Sequence, residues 1–269
     1  MKVVFIGGGN MAGAMLGGLL AQGWTAAELG AVDPDPARRA QLTADYGIAT
    51  FDPVEPLPAA PTVVLAVKPQ QLAQVARARA GELAGRLVIS IAAGVRMADL
   101  DRWLDGGARL IRVMPNTPAL VRAGISGAWL GPRADRSDRA SADALLAAIG
   151  DVVWVEQEAD IDAVTAISGS GPAYVFYLLD ALTEAATAQG FAAETARRLA
   201  YATFDGAVRL AQASPESAAV LRQRVTSKGG TTEAALARLE AREVRAAIVE
   251  AAAAAASRAA ELADQLGQS

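Results

Sequence analysis

Short, uninterrupted apolar runs recur through the first half of the chain: 2–7 (KVVFIG), 29–33, 62–67, 86–92 and 109–114, with weaker ones at 124–130 and 151–156. Segments with a helical period lie between many of them, at 10–22, 36–46, 70–79, 97–104 and 137–149. Apolar strands alternating with helices predict a parallel sheet covered on both faces. Past about residue 156 the strand pattern stops. Ser170 reads as a helix N-cap with Pro172 close behind, and Gly190 reads as the stop. Further helices fit 193–213, 216–224 and a long alanine-rich stretch from about 240 to Gly267. The change of period, rather than any Gly/Ser linker, places the boundary and predicts two domains, 1–158 and 159–269. The stretch AYVFYLL (173–179) is apolar on every face and reads either as the centre of a bundle or as a subunit interface.

Composition narrows the chemistry. The chain has 269 residues, about half of them hydrophobic, a net charge of −4, no cysteine and no histidine. An acidic balance argues against nucleic acid or an anionic membrane as partner. The two missing residue types exclude disulfides, thiolate nucleophiles, Ser-His-Asp hydrolysis and His- or Cys-ligated metals. No metal site is expected. The apolar N-terminus is interrupted by Gly7-Gly8-Gly9-Asn10, unlike a signal peptide, and no apolar run is long enough to cross a membrane. A cytoplasmic location is the expectation.

The first turn carries a dinucleotide fingerprint, Gly7-x-Gly9-x-x-Ala12, between a strand and a helix. Gly7 permits the tight turn, Gly9 lets the backbone approach a pyrophosphate, and Ala12 lets helix pack on strand. Ile6, Gly7, Gly8, Gly9, Asn10 and Met11 are therefore candidate cofactor residues on a Rossmann-type domain. Asp33, at the end of the second run, is placed to bond the adenosine ribose hydroxyls, which favours NADH. The alternative is that Asp33 and Asp35 cap the next helix. Arg38 and Arg39 could reach a 2′-phosphate, so NADPH stays equally open. Ala66-Val67-Lys68-Pro69 and Asn116 stand where later strands end, the edge at which α/β sheets bind ligands.

Five segments, IGGGNM, AVKPQ, RVMPNTPALV, SGSGPAY and VTSKGGTTEAAL, resemble pyrroline-5-carboxylate reductase in content, order and spacing, over nearly the whole chain. The resemblance implies an N-terminal Rossmann domain and an all-α dimerisation domain, a homodimer that some members stack into decamers, and reduction of Δ1-pyrroline-5-carboxylate to L-proline by NADPH or NADH. It implies that Ser227, Gly229, Gly230, Thr231 and Thr232 hold the substrate, with Thr232 meeting the ring nitrogen as the catalytic hydroxyl. It places Asn116 and Lys68 beside the cofactor. Two departures stand out. Lys228 occupies a position that is commonly proline, and Asp33-Pro34-Asp35 stands where some members carry an arginine or serine for the 2′-phosphate.

This chemistry suits a chain without histidine. An imine nitrogen is basic enough to arrive protonated, so hydride attack leaves a neutral amine and no strong acid is obligatory. A helix start with two glycines offers free N–H groups to a carboxylate, and the threonines add hydroxyls. Two rivals remain. A β-hydroxyacid dehydrogenase, or a related imine reductase, is one; those dehydrogenases need a lysine on a helix of the second domain, and this chain has lysines only at 2, 68 and 228. A non-catalytic dinucleotide-binding regulator is the other, and it has no need of the Gly-Gly-x-Thr corner.

Overall fold

A computed structural model describes residues 1–268. They divide into two compact units, one formed by residues 1–170 with the chain from Ala254 onward, the other by residues 171–253.

The first unit is built on an eight-stranded sheet in the order β3-β2-β1-β4-β5-β6-β7-β8. Its strands are β1 (Val3–Ile6), β2 (Leu29–Val32), β3 (Ala49–Phe51), β4 (Thr62–Leu65), β5 (Leu87–Ser90), β6 (Arg109–Met114), β7 (Gly124–Leu130) and β8 (Gly150–Trp154). Strand β1 shows how the apolar runs work. Val3 and Phe5 enter the core on one face of the sheet, while Val4 and Ile6 enter the core on the other. The first face is covered by α1 (Asn10–Ala21), α2 (Pro36–Tyr46) and α5 (Arg136–Leu146), which contribute Met15, Leu16, Leu19, Leu42, Leu145 and Leu146. The second is covered by α3 (Pro69–Leu83) and α4 (Met97–Trp103), through Leu72, Leu83, Leu100 and Trp103.

The sheet departs from the expected all-parallel form at one place. Strands β6 and β7 pair antiparallel, with Ile111 opposite Leu130 and Met114 opposite Gly127. The link from Met114 to Gly124 holds only a short 3₁₀ turn, Thr117–Val121. A parallel crossover needs a dozen or more residues, so the chain can only turn back. Strand β3 was not anticipated either; three residues at a sheet edge are too few to display a period.

After β8 the chain enters α6 (Asp160–Val164) and a π-helical turn, Thr165–Gly169. The Asn116 side chain is buried beneath this turn. Its Nδ2 donates to the Ser168 carbonyl at 3.1 Å, and its Oδ1 accepts from the Ile125 amide at 3.0 Å. Buried Arg112 pairs with Glu158 at 2.9 Å and Asp162 at 3.1 Å, binding the same connection to β6.

The second unit contains α7 (Gly171–Ala188), α8 (Ala193–Ala213), α9 (Ala218–Arg224), α10 (Thr231–Ala241) and the first half of α11 (Val244–Gly267). Helices α10 and α11 are separate. The break comes at Glu243, a non-glycine residue in the left-handed region (φ 51°). The end of α11 belongs to the first unit, where Asp264 pairs with Arg96 at 2.6 Å and the Gly267 carbonyl accepts from Arg102 at 2.8 Å. In the second unit Leu179, Ala196 and Ala200 are buried, but Phe176 and Tyr177 are 62% and 77% exposed. AYVFYLL is thus not the centre of a bundle within one chain.

Candidate functional site

The fingerprint turn lies where the strand order reverses, between β1 and β4, the place at which doubly wound sheets open a crevice. Gly7 has φ +99°, and a Cβ there would stand 2.7 Å from the Ala66 carbonyl oxygen. Only glycine lets the ends of β1 and β4 approach so closely. At Gly9 the opposite holds: a Cβ would meet nothing within 4 Å. Gly9 is the N-cap of α1 and no side chain caps the helix. The N–H groups of Asn10 and Met11 therefore point from an uncapped helix end into open space, the arrangement that binds phosphate. These features fit a dinucleotide pyrophosphate.

Asp33 does something the sequence did not reveal. Its Oδ2 accepts the Gly8 amide at 2.7 Å and its Oδ1 accepts the Asp35 amide at 2.9 Å. The cap of α2 is Asp35 alone, which accepts from Ala37 at 2.9 Å. Of the alternatives for this pair, capping belongs to Asp35, while Asp33 braces the glycine turn. Arg38 braces it too, through Nε to the Gly8 carbonyl and, at 3.4 Å, Nη2 to the Gly9 carbonyl. Arg39 donates to the carbonyls of Asp33 at 2.6 Å and Pro34 at 3.2 Å and pairs with Asp52 at 3.0 Å. Contacts spanning some thirty positions leave no local mark in a sequence.

Ala66 and Val67 are half-buried at the end of β4; Lys68 is the exposed N-cap of α3 and Pro69 its first residue. Among the described residues no carboxylate pairs with Lys68.

The corner in the second unit is built by backbone. Gly229 takes φ +72°, and the Gly230 amide donates to the Ser227 carbonyl at 3.0 Å. Gly230 is the N-cap of α10, and no side chain caps the helix. A Cβ on Gly230 would meet Ser227 Oγ at 2.5 Å and the Ser227 carbonyl oxygen at 3.0 Å, so a side chain there would turn the serine hydroxyl aside and crowd the turn. Ser227 and the two threonines thus do not serve as side-chain caps. Among the described residues the hydroxyls of Thr231 and Thr232 have no hydrogen-bond partner, Thr231 being exposed and Thr232 half-buried. Glu233, the third residue of the helix, accepts the Gly229 amide at 2.7 Å. A glutamate three positions past an N-cap is the readable signal for that brace. The corner offers uncapped N–H groups, two free hydroxyls and the positive end of a helix, a set suited to a small carboxylate.

Among the described residues no helix is long and apolar enough to cross a membrane. Comparison with known proteins agrees with the geometry. Residues 158–262 match the family model described as "Pyrroline-5-carboxylate reductase dimerisation", and residues 2–94 that described as "NADP oxidoreductase coenzyme F420-dependent". A pyrroline-5-carboxylate reductase of Pseudomonas aeruginosa is 45% identical over 99% of this chain and 98% of its own length. Among solved structures, a pyrroline-5-carboxylate reductase from Coxiella burnetii superposes with a TM-score of 0.91 at 39% identity, over 97% of this chain and 98% of that one. The Plasmodium falciparum pyrroline carboxylate reductase, solved with NADP bound, gives a TM-score of 0.88 at 25% identity, over 98% of each chain.

Proposed function

The chain belongs to the pyrroline-5-carboxylate reductase family, and on that premise we propose that it reduces Δ1-pyrroline-5-carboxylate to L-proline with NADPH or NADH, the last step of proline biosynthesis. The observation that carries this reading is the corner at Ser227–Thr232, where an uncapped helix start and two unused hydroxyls follow a glycine in the left-handed region and a second glycine packed closely on Ser227.

In this reading the turn Ile6–Met11 takes the pyrophosphate on the uncapped start of α1, with Asp33 holding the turn in shape. Ala66, Val67, Lys68, Pro69 and Asn116 complete the cofactor set, Lys68 supplying an unpaired positive charge and Asn116 a rigid end to β6. The bound nicotinamide supplies the hydride. Ser227, Gly229, Gly230 and Thr231 hold the substrate carboxylate: Ser227 and Thr231 supply hydroxyls and the start of α10 its free amides, on a turn shaped by Gly229 and Gly230, whose own amides are taken by Glu233 and the Ser227 carbonyl. Thr232 orients the ring nitrogen, which arrives protonated and needs no acid from the chain. Catalysis of this kind is chiefly positioning. Residues 1–158 serve the coenzyme; residues 159–269 serve the substrate and self-association.

The exposed apolar face of α7 supports a homodimer, since a patch holding Val175, Phe176 and Tyr177 is costly to leave in water. Stacking into decamers and a cytoplasmic location are parts of the same proposal. The reading is tested by incubating the protein with racemic pyrroline-5-carboxylate and each coenzyme, then resolving the product on a chiral column. L-proline alone is expected; no proline with either coenzyme contradicts the assignment.

A further inference from the structure

Lys228 stands between Ser227, which brings a hydroxyl to the corner, and Gly229, whose left-handed backbone (φ +72°) turns the chain into α10. Its side chain is exposed, and among the described residues no carboxylate pairs with it. The arginines just before it are neutralised: Arg222 pairs with Glu240 at 3.9 Å and Arg224 with Glu216. Glu233, in the first turn of α10, accepts the Gly229 amide at 2.7 Å. Among the described residues no cation pairs with Glu233.

The sum of these charges decides whether an anion can settle here. An uncapped helix start carries about half a positive elementary charge. The Glu233 carboxylate brings a whole negative one to the same helix end, and a hydrogen bond from a neutral amide fixes that charge without cancelling it. Helix end and Glu233 together leave the corner negative by about half a charge, which repels a carboxylate. The Lys228 ammonium reverses the sign.

We propose that Lys228 is a further substrate-binding residue, whose ammonium offsets Glu233 and restores the positive potential that holds the substrate carboxylate at the start of α10. The inference rests on the reading of this corner as the carboxylate site, given above. A compact ammonium on a flexible four-carbon stem can follow the ligand, where the backbone amides are fixed. The carboxylate keeps its charge throughout the reaction, so the contribution is the same before and during hydride transfer. It therefore sets KM and leaves kcat nearly alone.

The test is steady-state kinetics with pyrroline-5-carboxylate at saturating coenzyme, on the unaltered protein, Lys228→Gln, Lys228→Arg, Glu233→Gln and the double variant of the two glutamines. Glutamine at 228 removes the charge; glutamine at 233 removes the opposing charge and keeps an acceptor for the Gly229 amide. Lys228→Gln should raise KM roughly two- to fivefold, with kcat within about twofold. Lys228→Arg should stay close to the unaltered protein, Glu233→Gln should lower KM by about twofold, and the double variant should return KM near its original value. An unchanged KM in Lys228→Gln overturns the proposal. So does a raised KM in Glu233→Gln, which means that Glu233 only shapes the turn and needs no offset. If a variant does not fold, the unaltered protein still decides: its KM must rise as salt screens the ammonium, and a KM indifferent to salt contradicts the proposal. Failure of the unaltered protein to reduce pyrroline-5-carboxylate at all overturns the reading of the corner itself, a distinct outcome.

Discussion

Gly7 and Ala66 approach so closely that a single methyl group on the first would stand 2.7 Å from the carbonyl oxygen of the second. Each extends a strand ladder. The Gly7 amide donates to Val32 and the Ala66 amide to Ile6, both at 2.8 Å. The reversal of strand order, and with it the crevice for a dinucleotide, therefore depends on the absence of a side chain at one position. Gly7→Ala combines that clash with a φ of +99°. It should cost about 1–3 kcal/mol of stability and weaken dinucleotide binding roughly tenfold or more. Denaturant unfolding and calorimetric titration check both. Unchanged affinity would mean that the turn does not face the coenzyme.

Among the described residues the Thr232 hydroxyl has no hydrogen-bond partner. Thr232→Ala should lower kcat/KM by roughly one to two orders of magnitude, on the order of 1.5–3 kcal/mol, with little change in stability. Thr232→Ser, which keeps the hydroxyl, should recover much of the loss. Steady-state kinetics of the pair separates a hydroxyl effect from a packing effect. Unaltered kinetics in the alanine variant would remove Thr232 from the site.

Asn116 spends its amide on two backbone groups in the interior. Asn116→Leu strands the Ile125 amide and the Ser168 carbonyl, and should cost about 1–3 kcal/mol for each fully buried group left unpaired. Asn116→Asp keeps the acceptor for Ile125 but sets a buried carboxylate oxygen against the Ser168 carbonyl, so at neutral pH it should cost at least as much as the leucine. Urea midpoints at constant slope give the comparison. A leucine variant as stable as the unaltered protein would deny Asn116 its bracing role.

Much of this was legible from residue pattern. The strand cores, the bounds of α2 and α8 and the fingerprint glycines all follow from period and backbone freedom, which are local properties. The misses share a different cause. Strand β3 is too short to show a period, the turning-back of β7 is decided by a loop length rather than a composition, and the left-handed Glu243 carries no glycine or proline to announce it. At the site, the Gly229-Gly230 corner was readable because glycine is demanded there. The partners of Asp33 and Arg38 were not, because a helix cap and a brace reaching back to Gly8 use the same residues.

Glu28, at the entry to the sheet, contributes to the acid limb of stability. Its carboxylate is lowered from 4.5 to about 2 by a hydrogen bond from Lys2 and by further ones from the Thr25 amide and hydroxyl. A depressed carboxylate stabilises the fold in full above its ordinary value and loses that contribution as pH falls toward the depressed one. The stability it lends should therefore be constant above about 4.5 and fade between 4.5 and about 2. Glu28→Gln should flatten that part of the stability–pH curve, and the Glu28 side-chain resonance should titrate near the lower value. A titration near 4.5 would contradict the contact with Lys2.

The central claim is that hydride passes from the nicotinamide to the imine carbon. Coenzyme carrying deuterium at both C4 positions of the reduced ring, supplied with pyrroline-5-carboxylate, tests it most directly when the product is read by mass spectrometry and proton NMR. The account predicts proline with a single deuterium at C5, formed only when protein, imine and coenzyme are all present. Coenzyme left unoxidised by folded protein, or proline without the label, would contradict it.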